Sequence, residues 1–298
     1  MSSLRGIITR LLDDAQDQSR HPEKQSRRHL QIREHLDHLE DSDQRRLVQQ
    51  LLCVRHAEPS LPGTLLDEID STILAWRSQR LLTPARSIPP ALTFARSDSL
   101  DQGSVSVWQG DITTVSGATA ITNAANSAGL GCFQPSHRCI DNAIHAWAGP
   151  RLRDDCHRLM TARGRELDPG ECVVTPGRCL PAAHVVHVLG PQLAGPGAVP
   201  EPGHNEQLAQ CYRSVLDAVE ALPPGDDGRK RVVFCGISTG LFAFPARQAA
   251  ELAVRSVAAW LQSHQRTTVT DIIFNTFTDA DTAIYTDFEP CAASRGGG

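Results

Sequence analysis

The chain has no surplus of basic residues: 29 Lys and Arg stand against 34 Asp and Glu, a net charge of -5. Nucleic-acid binders neutralise backbone phosphates with excess Lys and Arg. This balance therefore points away from nucleic acid, and any phosphate held here is expected to belong to a small ligand. Also missing are an apolar run long enough to cross a bilayer and a stretch patterned as a secretory leader. No membrane partner is expected. Nine cysteines are present but lack the paired spacing of a disulfide framework, so free thiols in a reducing, cytoplasmic setting are expected. No internal repeat is visible. No Lys follows the glycines of Gly236-Ile237-Ser238-Thr239-Gly240 where a Walker phosphate loop requires one.

What is present falls into two regions. Residues 1–90 are dense in charge and carry helical patterning, with Leu4, Ile7, Ile8, Leu11 and Leu12, and later Leu47, Leu51 and Leu52, at three- and four-residue steps. No strand signal appears there. Pro59, Pro62 and Gly63 break the helices, and Pro84 to Pro90 reads as a linker. From residue 104 onward, short β-branched runs (105–108, 118–123, 172–175, 184–189, 232–237, 269–277) alternate with helical stretches at about 137–163, 204–221, 245–264 and 279–287. That alternation predicts an α/β domain with a mainly parallel sheet covered on both faces. Ligands of such sheets bind at the carboxyl ends of the strands. The expected division is a helical extension and linker over 1–90, the α/β domain over 91–288 and a disordered tail over 289–298.

The most informative run is Gly131-Cys132-Phe133-Gln134-Pro135-Ser136-His137-Arg138-Cys139-Ile140-Asp141-Asn142. Two thiols and one imidazole within eight residues have metal-ligand spacing, and three protein ligands leave zinc one open position for chemistry. The plainer reading is three buried residues, since Cys and single His residues are commonly core. Pro135 and Ser136 read as a helix start, which puts Cys139 in the first turn, where the positive end of the dipole favours a thiolate. His145 follows His137 by two helical turns, a rise of about 11 to 12 Å on a continuous helix, too far for one ion. Cys156, Cys179, Cys211 and Cys235 read as buried apolar residues.

Other motifs end strands. Gly236 to Phe242, comprising Ser238, Thr239, Gly240 and Leu241, can cradle phosphate with backbone N–H groups and hydroxyls, or serve only as a tight connection. Asp111, in Gly110-Asp111-Ile112-Thr113, either caps the next turn or accepts a hydrogen bond from a base amino group. Asn123 and Asn126 satisfy strand-end backbone groups or hold a polyhydroxylated ligand such as a ribose.

Together these segments, with Phe274-Asn275-Thr276-Phe277-Thr278-Asp279 and Tyr285, resemble the zinc-dependent macrodomains, a family of protein-ADP-ribose hydrolases. The resemblance implies a three-layer α/β/α macrodomain with a mixed, mainly parallel sheet and an ADP-ribose cleft. It further implies that Asp111 reads the adenine amino group, that Ile112 adds a backbone contact and that Phe277 lines the adenosine end. Gly236 to Phe242 would hold the diphosphate and Asn126 the distal ribose. Cys132, His137 and Cys139 would bind Zn2+, with Asp141 as base for water. The expected activity is removal of mono-ADP-ribose from side chains of a modified protein through an oxygen linkage. The rivals are an ADP-ribose reader without turnover and a structural zinc knuckle. Thr122 and Cys172 depart from the family's usual residues, and the extension either packs on the sheet domain or docks the modified protein.

Overall fold

The structure, a computed structural model, describes residues 3–17, 22–95 and 102–287; the tail expected at 289–298 lies outside the described residues. The first region forms four helices, α1 (Leu4–Asp17), α2 (Pro22–His35), α3 (Asp41–Val54) and α4 (Gly63–Arg77). Ile7, Ile8, Leu11 and Leu12 form one stripe of α1 and are buried in a core with Val48 of α3 and Leu65, Ile69 and Ile73 of α4. Burying each such side chain contributes roughly 1.5–3 kcal/mol, which holds together helices too short to persist alone. Cys179 and Trp147 of the second region join this core, so the helices pack on the α/β domain rather than hang from a linker. Among the described residues no helix is long and apolar enough to cross a membrane.

The Pro-rich stretch is not a bare linker. It carries the two-residue strand β1 (Thr83–Pro84), too short to leave a period in the sequence, and leads to β2 (Leu92–Phe94). β1 pairs in parallel with β4 (Val115–Ser116). The remaining strands are β3 (Gly103–Gln109), β5 (Ala120–Ala124), β6 (Cys172–Pro176), β7 (His184–Val188), β8 (Lys230–Phe234) and β9 (Val269–Thr276). The main sheet has the order β2-β3-β9-β8-β5-β7-β6. Its two edge pairs are antiparallel and its central pairs parallel.

Five helices complete the domain: α5 (Ile140–Ala148), α6 (Pro150–Arg163), α7 (Pro202–Glu220), α8 (Ala246–Ser263) and α9 (Asp279–Thr286). The stretch expected as one helix over 137–163 starts later and divides at Gly149. That glycine has φ +84°, and a Cβ on it would sit 3.0 Å from Asp70 Oδ1 of α4. Glycine supplies the positive φ and the close approach, and Pro150 then opens α6 at the position where proline is favoured.

Register shows the two covered faces. Phe234 and Phe274 are paired on β8 and β9 and stack at 6.0 Å, with Tyr212 of α7 and Tyr285 of α9 against them. Asn123 and His187, paired on β5 and β7, contact Asp141 of α5 and Cys156 of α6 instead. The result is a three-layer α/β/α domain with a mixed, mostly parallel sheet.

Candidate active site

A cavity of about 1270 Å³ opens where β3, β9, β8 and β5 end, lined at those ends by Gly110, Thr276, Cys235 and Ala124. This is the location that a parallel sheet dictates, and the volume suits a ligand larger than a single nucleotide base. Strand order lays out the lining in sequence along the sheet: Asp111, Ile112 and Phe277 after β3 and β9, the 236–242 loop after β8, and Asn126 with the 132–139 loop after β5.

At the β3 end Asp111 caps a short turn. Its Oδ1 accepts from the Thr113 N–H at 2.9 Å and hydroxyl at 2.7 Å, while Oδ2 accepts from Arg80 at 2.5 Å. The Arg80 guanidinium also stacks on Trp147, 3.8 Å from the ring centre. Ile112 is buried, whereas Phe277 is 74% exposed at the rim.

The loop after β8 is built from backbone. Ser238 holds φ +64°, and a Cβ on Gly190 would lie 2.0 Å from its Oγ, so two chain segments meet there without room for another atom. Phe244 N–H donates to the Ser238 carbonyl and Leu193 N–H to that of Phe242, which tie the loop down. Among the described residues no protein acceptor takes the N–H groups of Thr239, Gly240, Leu241 and Phe242, and the Ser238 hydroxyl is buried without a partner. Unpaired donors of this kind are what an anion requires.

Beyond β5, Asn126 bridges its own turn: its amide donates to the Gly131 carbonyl at 3.1 Å and its oxygen accepts from Gly129 N–H. Gly131 has φ +88°, and a Cβ there would approach His145 Nε2 to 2.7 Å, which explains glycine at the entrance of the ligand loop. Cys132 Sγ lies 3.5 Å from His137 Nδ1. Cys139 is the N-cap of α5 and its Sγ accepts from Asn142 N–H at 3.5 Å. His137 and Cys139 thus precede the helix instead of occupying its first turn. Burial pushes the Cys139 thiol up to about 11, with the neighbouring Cys132 adding to the rise. Cys132 Sγ and His137 Nδ1 approach each other at the cavity edge and Cys139 follows at the N-cap of α5. Two thiols and an imidazole fit zinc by donor chemistry, although among the described residues the three are not gathered within 4.8 Å of one another as a ready-made cluster.

Asp141 lines the cavity yet is 4% exposed. Its Oδ1 accepts from Asn123 Nδ2 at 2.8 Å, and burial raises its carboxyl to about 6. Asn123, expected at a ligand, is fully buried behind Asp141 and is absent from the cavity lining. The same amide donates to His187 Nδ1 at 3.1 Å, which leaves His187 Nε2 protonated toward the Thr175 hydroxyl at 2.9 Å. His145 is also buried, with Nε2 3.4 Å from Asp141 Oδ1. Potential ligand atoms of His145, Cys156 and His187 lie within 4.8 Å of one another. Both His187 nitrogens are engaged, whereas both His145 ring nitrogens are buried without a hydrogen-bond partner and burial, with the Arg153 charge, disfavours a proton there. This cluster is therefore a buried polar core that backs Asp141. Sequence reasoning missed His187, Arg80, Asn142 and Cys53. Only Asn142 carried a signal, its place in the ligand run.

Comparison with known proteins shows what the chain is similar to. Residues 122–253 match the model of the Macro domain family. A probable bifunctional ADP-ribose hydrolase/ADP-ribosyltransferase of Fusarium oxysporum f. sp. cubense is 50% identical over 284 residues, 95% of this chain and 47% of that protein. A protein-ADP-ribose hydrolase of Staphylococcus aureus is 43% identical over 180 residues, 60% of this chain and 64% of the relative. The chain thus spans about half the length of the first and under two thirds of the second. Among solved structures, an Oceanobacillus iheyensis macrodomain variant with ADPR aligns at TM-score 0.56 and 28% identity, covering 68% of this chain and 99% of that one. A Trypanosoma brucei macrodomain in complex with ADP-ribose aligns at 0.56 and 25% identity, covering 82% and 94%. The α/β part of this chain has the macrodomain fold, and within it residues 122–253 match the Macro domain family model.

Proposed function

We propose that this chain is a zinc-dependent hydrolase that removes mono-ADP-ribose from oxygen-linked side chains of modified proteins. The observation that carries the reading is the order of groups along the sheet edge: the capped Asp111 and Phe277, then four free backbone donors, then Asn126, Asp141 and the Cys132/His137/Cys139 loop. Adenosine, diphosphate and distal ribose follow one another in ADP-ribose in the same order. The names of the Fusarium and staphylococcal relatives support hydrolysis over simple binding.

Thr239 to Phe242 hold the diphosphate with backbone N–H groups, and Asn126 orients the distal ribose. Zinc held by Cys132, His137 and Cys139 would supply Lewis-acid stabilisation at a ribose oxygen, with two thiolates cancelling its charge and making it a weak source of hydroxide. Asp141, fixed by Asn123, accepts a proton from water. The water oxygen bonds to the anomeric carbon, the bond to the side-chain oxygen breaks, and that oxygen leaves with the proton that Asp141 took from the water, which returns Asp141 to its carboxylate.

Release of ADP-ribose from serine-, aspartate/glutamate- and arginine-linked conjugates, with and without a chelator, tests the reading. Oxygen-linked conjugates are expected to react, with loss on chelation and recovery on adding zinc, and arginine-linked ones to resist. Tight ADP-ribose binding without release from any conjugate would make the domain a reader.

A further inference from the structure

We propose that the N-terminal helices are part of the ligand loop's machinery, with Cys53 of α3 and Asn142 of α5 as positioning residues that preset all three ligand-bearing residues. The proposal rests on the metal-site reading above.

Each ligand-bearing residue touches Cys53 or Asn142: Cys132 and His137 meet their side chains, and Cys139 meets the Asn142 backbone. The Cys53 thiol lies 3.3 Å from the Cys132 carbonyl and 3.3 Å from Asn142 Oδ1. Asn142 Nδ2 donates to the Gln134 carbonyl at 2.8 Å and to the His137 carbonyl at 2.9 Å, while its backbone N–H reaches Cys139 Sγ. The amide is therefore saturated on both ends, and its oxygen depends on a donor from the other module. Phe133, one residue past Cys132, is clamped between the His56 ring at 4.7 Å and the Arg153 guanidinium at 4.4 Å. Arg153, buried on α6, donates to the carbonyls of Leu52, Cys53 and Arg55 at the end of α3 and to Leu130 before the loop. A loop of eight residues with little regular structure is thus held by Asn142 and Arg153 of its own domain together with Cys53 and His56 of the helical region. Fixing ligands before the ion arrives removes ordering cost from binding, and outer partners of metal ligands commonly govern affinity by about 10–100-fold.

The test uses the full chain and four variants: Cys53→Ala, which removes the donor, Cys53→Ser, which keeps one, Asn142→Asp, which removes the amide donors, and His56→Ala. Zinc affinity is measured by chelator competition, and the thiolate charge-transfer bands of the Co2+ form report ligand geometry. Site-resolved alkylation of Cys132 and Cys139 in metal-free protein reports loop order without any metal. Cys53→Ala and Asn142→Asp are expected to bind zinc about 10–100-fold more weakly, to shift the Co2+ bands and to alkylate faster at both cysteines. Cys53→Ser should stay near the parent and so control for folding; His56→Ala should fall between. Zinc affinity, bands and alkylation all unchanged in Cys53→Ala and Asn142→Asp would overturn the proposal. If the parent chain bound no zinc, the metal reading would fail, and the alkylation rates would still decide whether α3 orders the loop.

Discussion

The two loops that line the cleft are built in opposite ways. The 236–242 loop presents backbone N–H groups between a strand and a helix, and its geometry is set by local φ angles and by the Gly190–Ser238 approach. The 132–139 loop presents side chains, and their placement is set by contacts from Cys53 of α3, 79 residues before Cys132, and from Arg153 of α6. A backbone site is carried by the fold itself; a side-chain site in an irregular loop needs a brace. The helical region, dispensable for building a sheet, supplies that brace.

The comparison is broken most severely from the ligand side. Cys139→Ala is expected to reduce hydrolysis of an oxygen-linked conjugate by more than about 100-fold while ADP-ribose affinity, read by calorimetry, changes only a few-fold. A parallel loss of both would mean that the loops do not divide the work. Next comes the backbone side. Gly240→Pro deletes one N–H, and losing a hydrogen bond to a charged group costs about 1.5–3 kcal/mol, or about 10–150-fold in ADP-ribose affinity. Gly240→Ala, whose Cβ meets nothing within 4 Å, should bind like the parent. Equal weakening by Ala and Pro would deny the N–H its role.

The core behind Asp141 gives a pH signature. Burial lowers His187 to about 4 and holds His145 well below its usual range. Below pH 6.5 the unfolded chain protonates these histidines while the folded chain does not, so their contribution to stability is full above that pH and is lost as pH falls toward 4. Asp141, raised to about 6, contributes with the opposite sign between about 6 and 4. The His187 share is roughly 3 kcal/mol over that window. In denaturant titrations at pH 7 and pH 4.5, His187→Gln should lose less stability on acidification than the parent by that amount; the same pH dependence in both would mean the histidine titrates normally. The smallest effect is expected at Phe277→Ala, which removes an exposed ring at the rim and should weaken ADP-ribose binding by about 3- to 10-fold, the worth of an aromatic contact.

Legibility in the sequence followed the same division. Alternating runs marked β3, β5 to β9 and their helices because period and turn chemistry are local properties, and the Gly236 to Phe242 loop stood out because glycines punctuate a strand end. Cys132, His137 and Cys139 were visible as a spacing, and the structure brings Cys132 and His137 to 3.5 Å. Three features were not readable. The helix starts after Cys139 and not at Pro135–Ser136, because the Cys139 thiol serves as its N-cap. Asn123 faces the core, since its strand register points it at Asp141 and His187 rather than at the cleft. Cys53 looked like any half-apolar helix residue, and only packing places it on the loop.

Zinc titrated back into fully stripped chain, with ADP-ribose release from a serine-linked conjugate followed at each addition, tests the division of labour most directly. Release is expected to be negligible at zero metal and to plateau at one zinc per chain, with ADP-ribose affinity nearly constant throughout. Full turnover by the stripped chain would contradict it.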